Sequence, residues 1–321
     1  MQNKYNPLIS IIIPTFNRGH LINEVLDSIL EQSYLNWECI VVDDGSVDKT
    51  KDILTSYVSR DNRIKYYNRP LDRQKGASSC RNYGFEKSKG EYIHWFDSDD
   101  LYTKNAIKTY INSFNKNIDV VISPLKKVNF EMIELSVVRI YSDNLLQDYI
   151  TGKVAFYVSG PVWRRTFLLQ QLYLFDVSLG NLDDWDFNLR MLYSKPKLFY
   201  LKVPMLYYRI HQASLSQELG NLNITELKSD FSARLKHVSL LEEHNNKIEL
   251  KVLKELIIDR YIYFINKSLV NQNTKVVLFL AVPFVKNSII FRDFRFFKII
   301  AIASFYTVFK KGYRWIKQSR N

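Results

Sequence analysis

The sequence predicts an α/β fold, a mostly parallel sheet with flanking helices followed by a helical C-terminal extension. Three observations lead there. Short β-branched runs alternate with helix-spaced apolar residues over the first 123 positions. The first of them, Leu8 to Pro14, is a continuous β-branched run of the kind that a strand covered on both faces shows. From about Gln217 onward only helical or irregular patterning remains.

The elements follow in order. "LISIIIP" (Leu8 to Pro14) reads as a strand, and Leu21, Val25, Leu26, Ile29 and Leu30 recur behind it at helical spacing. "ECIVV" (Glu38 to Val42) precedes a helix over 49–58, "IKYY" (Ile64 to Tyr67) one over 76–87, and "YIHWF" (Tyr92 to Phe96) one over 103–114. "IDVVIS" (Ile118 to Ser123) is the next strand. Such repeated βα units make a doubly wound sheet. After Pro124 the pattern predicts a hairpin near 137–141, short helices over 144–150 and 165–172, a longer one over 183–193, and strands in "KLFYL" and "MLYYRI". Residues 227–241 and 249–269 carry the strongest helical periods beyond them.

A chain of 321 residues, 46% hydrophobic and 24% charged, can bury one large domain plus an accessory part. Two cysteines, Cys39 and Cys80, provide no disulfide framework and no structural zinc pair, which points to a reducing compartment. Residues 1–7 are polar, and the apolar run after them is too short for a secretory core or a membrane span, so the expected location is the cytosol. The net charge is +12, and from Lys251 onward fourteen Lys and Arg stand against three acids.

Open parallel sheets bind ligands at the carboxyl ends of their strands. Here the first strand ends in "PTFNR", the second in "DDGS" (Asp43 to Ser46) and the fourth in "DSDD" (Asp97 to Asp100). Asp and Ser after a strand also form Asx turns and cap helices without any chemistry. Capping needs one carboxylate, however, and three within four residues repel one another in a way that a divalent cation removes. Mg²⁺ and Mn²⁺ favour such oxygens and share themselves with phosphates, so a diphosphate ligand is the natural partner. No G-x-G-x-x-G follows a strand, and neither G-x-x-x-x-G-K-[ST] nor H-E-x-x-H occurs.

"SIIIPTFNR", "WECIVVDDGSVDKT", "GASSCRNYGFEKSKGEYIHWFDSDD", "NLDDWDFNLRM" and "YYRIHQASLS" stand in an order and spacing that resembles family 2 glycosyltransferases of the GT-A, Rossmann-like fold. The resemblance covers residues 8–216; Cys80 stands where the family usually carries Ala. It implies transfer of a sugar, with inversion, from a nucleotide-diphosphate donor, with UDP favoured, to an acceptor hydroxyl. Within its D-x-D, Asp97–Ser98–Asp99, the resemblance makes Asp99 the first ligand of Mn²⁺ or Mg²⁺, while Asp97 reaches the metal or the ribose. Phe16, after Pro14 and Thr15, matches the position that stacks on the base, and Asp43 or Asp44 the carboxylate that recognises base or ribose. Arg73 and Arg81 match donor-side positions, and His211 one near the diphosphate and metal.

The acceptor must lose a proton, and one carboxylate within reach suffices. Asp183 and Asp184 match the family's Glu-Asp pair, with Asp184 the expected base, Asp183 the runner-up and Asp186 third. Leu182, Trp185, Leu189 and Leu192 are the expected buried stripe of that helix. Acids at a helix start are also favoured by capping and the macrodipole alone.

In the tail, "VVLFLAVPFV" (Val276 to Val285) and "FFKIIAIASFYTVF" (Phe296 to Phe309) are shorter than a bilayer span and are surrounded by Lys and Arg. They suit an anionic membrane surface better than nucleic acid. The expected organisation is a catalytic domain over 1–216, with a nucleotide-binding half to 123 and an acceptor half from 124, then a basic helical region over 217–321. The expected acceptor is a growing polysaccharide or lipid-linked oligosaccharide. A nucleotidyltransferase and a noncatalytic nucleotide-sugar or glycan-binding module are the alternatives.

Overall fold

The computed structural model describes residues 6–210 and 219–309, with side chains to residue 304. These residues fall into two compact units, one ending at Gln212 and the other beginning at Ala213.

In the first unit β1 (Ile9–Thr15) and β2 (Trp37–Asp43) are buried along their whole length, which explains why neither shows polar alternation. With β3 (Ile64–Asn68) and β4 (Tyr92–Trp95) they form a four-stranded parallel block of the sheet. The crossover helices are α1 (Ile22–Leu30), α2 (Thr50–Arg60) and α3 (Ala77–Lys87). Helix α3 lies against β1 at Gly84, where a Cβ would come within 2.3 Å of the Ile12 side chain.

After β5 (Leu101–Tyr102) and α4 (Ala106–Ser113), β6 (Val120–Ile122) extends the same sheet. It joins β4 through β9 (Pro161–Arg164), which is antiparallel to both. Sequence reading misses β9 because four residues beginning with Pro carry little strand signal. Buried His94 fastens β4 to its surroundings. Its Nε2 meets the Ser159 carbonyl at 2.8 Å and its Nδ1 the Tyr102 hydroxyl at 2.5 Å.

The hairpin lies earlier than expected. β7 (Leu125–Val128) pairs with β8 (Glu134–Val137), and residues 138–141 fall outside both strands. The turn is built by the Asn129 side chain, which accepts from the backbone N–H of Glu131 at 3.1 Å and of Ile133 at 2.9 Å. Helices α5 (Leu145–Thr151), α6 (Arg165–Leu168) and α7 (Asp183–Tyr193) follow. β10 (Leu198–Tyr200) completes a seven-stranded sheet of order β10-β6-β9-β4-β1-β2-β3. β11 (Leu206–Arg209) joins β5, β7 and β8 in a second, four-stranded sheet.

The second unit contains α8 (Ile224–Glu243), α9 (Lys247–Val270), α10 (Thr274–Phe291) and α11 (Arg295–Phe309). Asp230 on α8 binds Arg260 on α9 at 2.8 Å, and Phe231 stacks on Tyr261 at 3.9 Å. The apolar run at 276–285, read from sequence as too short to span a bilayer, belongs to one 18-residue helix that continues through Pro283. By length and composition alone, with a mean hydropathy of 1.6, α10 is long enough to cross a membrane.

Candidate active site

The strand order reverses at β1, with β2 and β3 on one side and β4 on the other. At such a switch point the loops diverge and leave a crevice beyond the carboxyl ends. Ile12 pairs with Trp95 and Thr15 with Asp43, so the segments after β1, β2 and β4 emerge on one rim.

The first two of these loops are bound together. Asn17, at φ 51°, donates its N–H to Ser46 Oγ at 2.8 Å and accepts from Val47 N at 2.9 Å. Gly19 donates to Asp48 at 3.0 Å, and a Cβ there would sit 3.1 Å from both Asp48 Oδ2 and Thr50 N. Pro14 and Thr15 are buried at the end of β1, and the Thr15 carbonyl accepts from Asp44 N at 2.9 Å. Phe16 emerges 40% exposed, with Lys75 Nζ 4.2 Å above its ring. Asp43 is buried and accepts from the Ser46 N–H (2.8 Å), the Ser46 hydroxyl (2.6 Å) and the Tyr66 hydroxyl (3.0 Å). Asp44 is paired with the Arg69 guanidinium.

Arg81, buried on α3, joins two acidic segments. It donates to Asp97 at 2.9 Å and to Asp183 at 2.5 Å. Burial opposes its charge, but Asp183 and Asp97 together raise its pKa above the ordinary value. Asp183 also accepts from Ser78 at 3.0 Å. Asp184 accepts from the Trp185 N–H at 2.7 Å. Desolvation, reinforced by Asp183 and Asp97 and only partly offset by Arg81, raises its carboxyl to about 7. A group poised there suits proton transfer at neutral pH.

The acids after β4 are less uncompensated than their spacing suggests. Arg81 binds Asp97, and Arg18 lies 3.7 Å from Asp99. Arg209, also buried, bonds the Asp99 carbonyl through Nε and Glu24 through Nη1 at 2.6 Å. Some repulsion persists. Burial, then the charges of Asp99 and Asp97, hold the Asp100 carboxyl well above the usual range, only partly offset by Ser159, and its buried Oδ2 has no hydrogen-bond partner among the described residues. Burial likewise raises Asp97. Ser98 is buried between them. Asp97 and Asp99 keep 27% and 19% of their side-chain surface, so both can be reached from the crevice.

Among the described residues no three His, Cys, Asp or Glu side chains converge as a cation cage. The Asp97 and Asp99 pair therefore fits an oxygen-loving cation only when a ligand shares its coordination. His211 lies outside the described residues.

Two expectations need correction. Asp186 is fully buried and paired with Arg190 at 2.8 Å, one turn along α7, which removes it from the acids able to meet an acceptor. The inward face of α7 is formed by Asp186, Phe187, Asn188, Leu189, Met191 and Leu192, with Leu182 and Trp185 only half-buried. The reason is local: Arg190 neutralises Asp186, and Asn188 donates to the Phe156 carbonyl at 2.9 Å, so polar residues enter the core in place of the expected stripe. Arg73 makes a two-pronged pair with Glu86 at 2.8 Å and lies over Tyr83. The arginines that meet the rim acids, Arg18, Arg69 and Arg209, carry only a weak sequence signal: each stands at or beside a strand end.

Residues 10–172 match the sequence profile of Glycosyl transferase family 2. An uncharacterised glycosyltransferase of Rickettsia typhi is 33% identical over 253 residues, covering 75% of this chain and 76% of the relative. The chain belongs to glycosyltransferase family 2. That membership sets aside the nucleotidyltransferase alternative. A Bacillus subtilis glycosyltransferase provisionally named for teichuronic acid biosynthesis, TuaG, is 38% identical over 104 residues, 32% of this chain and 40% of its own. The crystal structure of Staphylococcus aureus TarS residues 1–349 with UDP-GlcNAc superimposes with a TM-score of 0.65 at 20% identity, covering 87% of this chain and 81% of that one. At that identity the likeness establishes the fold, and the glycosyltransferase has the GT-A architecture its sequence resembles.

Proposed function

We propose that this glycosyltransferase moves a sugar from a nucleotide-diphosphate donor, a UDP-sugar, to an acceptor hydroxyl with inversion, and that Asp184 is the general base. The observation that carries this reading is the contrast between two neighbours. Arg81 and Ser78 occupy the Asp183 carboxylate, whereas Asp184 is held near neutrality with no cation bonded to it among the described residues. Asp184 takes the acceptor proton as the acceptor oxygen attacks the anomeric carbon. The bond to the diphosphate breaks on the opposite face, and its electron pair leaves with the nucleotide.

Phe16 offers its exposed face to the base, while Asp43 retains acceptor capacity for an imide N–H or a ribose hydroxyl. Asp44, oriented by Arg69, is the adjoining carboxylate. Asp99 and Asp97, with His211, would hold Mn²⁺ or Mg²⁺, which supplies positive charge for the departing diphosphate. Arg81 fixes the Asp97 carboxylate through its contact at 2.9 Å. The nucleotide-sugar complex of TarS and the name of TuaG support a nucleotide-sugar donor and a cell-envelope glycan or lipid-linked acceptor. The basic second unit supports action at the cytoplasmic face of an anionic membrane.

Screening common nucleotide sugars by thermal shift and donor hydrolysis, each with Mn²⁺, Mg²⁺ or chelator, tests donor and cation together. A stabilising UDP-sugar that acts only with the cation is the expected result. Indifference to every nucleotide sugar would defeat the proposal.

A further inference from the structure

On α9, Lys247, Leu250, Lys251, Lys254, Glu255 and Ile258 recur at helical spacing and form one wall of a groove of about 530 Å³. The other wall is the corner between α10 and α11, where Phe291, Arg292 and Phe294 project. Lys254 is already paired with Glu242 at 2.8 Å, so Lys247, Lys251 and Arg292 are the cations that meet Glu255 and Asp293. Asp293 is already neutralised by Arg295 at 2.6 Å, and the exposed Lys251–Glu255 pair, at 4.0 Å, holds its partners weakly. The groove is thus net positive, with an aromatic floor at one end.

The surface beside it is apolar. Ile289, Ile290, Phe294 and Phe297 are 58–69% exposed, and Leu278 and Val282 continue the face along α10. The inward side of the same helix carries Val276, Leu280 and Phe284 together with Asn287 and Ser288, with Asn287 donating to Tyr261 at 3.3 Å. With apolar residues on the inward side as well, the large aliphatic groups outside make α10 far more apolar on its exposed face than a helix facing water. A second copy of the chain would bring the same cations against these, and like charges repel. An apolar medium edged with negative charge satisfies both features.

We propose that this groove binds the phosphodiester headgroup of an acidic phospholipid, with Lys247, Lys251 and Arg292 on the phosphate and Phe294, Ile289 and Ile290 entering the acyl boundary. The inference rests on the membrane-surface reading above and names the site responsible for it. Each basic residue at an anionic surface contributes about 1 kcal/mol. Reversing two of them therefore weakens binding by more than roughly tenfold.

The test is cosedimentation of the full chain with phosphatidylcholine vesicles, with and without phosphatidylglycerol. It compares wild type, a Lys251→Glu/Arg292→Glu variant, and a Lys104→Glu/Lys108→Glu variant of equal charge change at exposed positions of the first unit. Melting temperature and donor binding serve as controls for folding. The expected result is binding that needs phosphatidylglycerol, falls more than about tenfold in the groove variant, falls less in the other, and is competed by soluble glycerol phosphate. Equal losses in the two variants would overturn the headgroup site while leaving membrane association intact. Wild type that ignores both vesicles would overturn the membrane reading and the site with it. A lipid-free dimer, abolished by the groove variant, would show that a second copy covers this face and would also overturn the proposal.

Discussion

Arg81 and Asp183 meet at 2.5 Å across 102 residues of sequence, tying α3 to the first turn of α7. The same guanidinium reaches Asp97, so one buried cation orients the acids of two separate loops. A planar fork can serve two carboxylates at once, whereas an ammonium is a point charge. Arg81→Lys should therefore lower turnover by more than about tenfold while the chain remains folded. Steady-state kinetics beside circular dichroism would check this, and unchanged turnover would show that the bridge is incidental.

Asp184→Asn removes the proposed base and should abolish turnover with donor affinity retained. In wild type, turnover should rise as pH increases through about 7, because the active form is the carboxylate. The effect on stability has the opposite sense. An acid whose folded pKa lies above its unfolded value of about 3.9 loses stability between those two values as pH rises. The Asn variant should thus become progressively more stable than wild type from about pH 4 to pH 7, with a constant margin above that. Melting curves across this range would test it, and parallel curves would show that Asp184 is not desolvated.

Asp99→Asn should remove the cation dependence of donor binding. Calorimetry should give tight wild-type binding with Mn²⁺, weak binding with chelator, and weak binding of the variant in both. A variant that still responds to Mn²⁺ would move the cation elsewhere on the rim.

The parallel core was legible because β1 and β2 are buried on both faces, and such strands announce themselves as near-continuous apolar runs, here broken only by a few polar residues such as Ser10 and Glu38. The places of Asp97 to Asp100 after β4 and of Asp183 and Asp184 at the start of α7 were legible because strand ends and helix starts are places where local pattern fixes position. What escaped was set by partners distant in sequence. Asp186 looked like a third rim acid, and only its buried pair with Arg190 shows otherwise. Arg69 and Arg209 looked like ordinary basic residues, although Asp44 lies 25 residues from one and Asp99 110 from the other. The turn at Asn129 depended on a single side chain, which apolar periodicity does not report.

Phe16 is 40% exposed just after β1, and Lys75 rests on its ring at 4.2 Å. A base stacked there would displace the ammonium toward the negatively charged donor. Base stacking on an aromatic is worth about 1–3 kcal/mol, so Phe16→Ala should weaken UDP binding roughly five- to 150-fold. Phe16→Trp should preserve it. Titration calorimetry separates the two, and equal affinity in the Ala variant would assign Phe16 to packing.

Gly84 tests how the scaffold positions Arg81, which lies on the same helix one turn earlier. A methyl group at Gly84 would press into Ile12 at 2.3 Å, and Ile12 belongs to the central strand and cannot withdraw. Overpacking of this kind costs about 1–3 kcal/mol. Gly84→Ala should therefore lower the denaturation midpoint and, by lifting α3 from β1, lengthen the contacts of Arg81 with Asp97 and Asp183. Its turnover should fall further than its donor affinity, since the proposed base, Asp184, adjoins Asp183 in that bridge. If urea unfolding shows the stability loss but kinetics show none, the bridge tolerates displacement and Arg81 acts by charge alone.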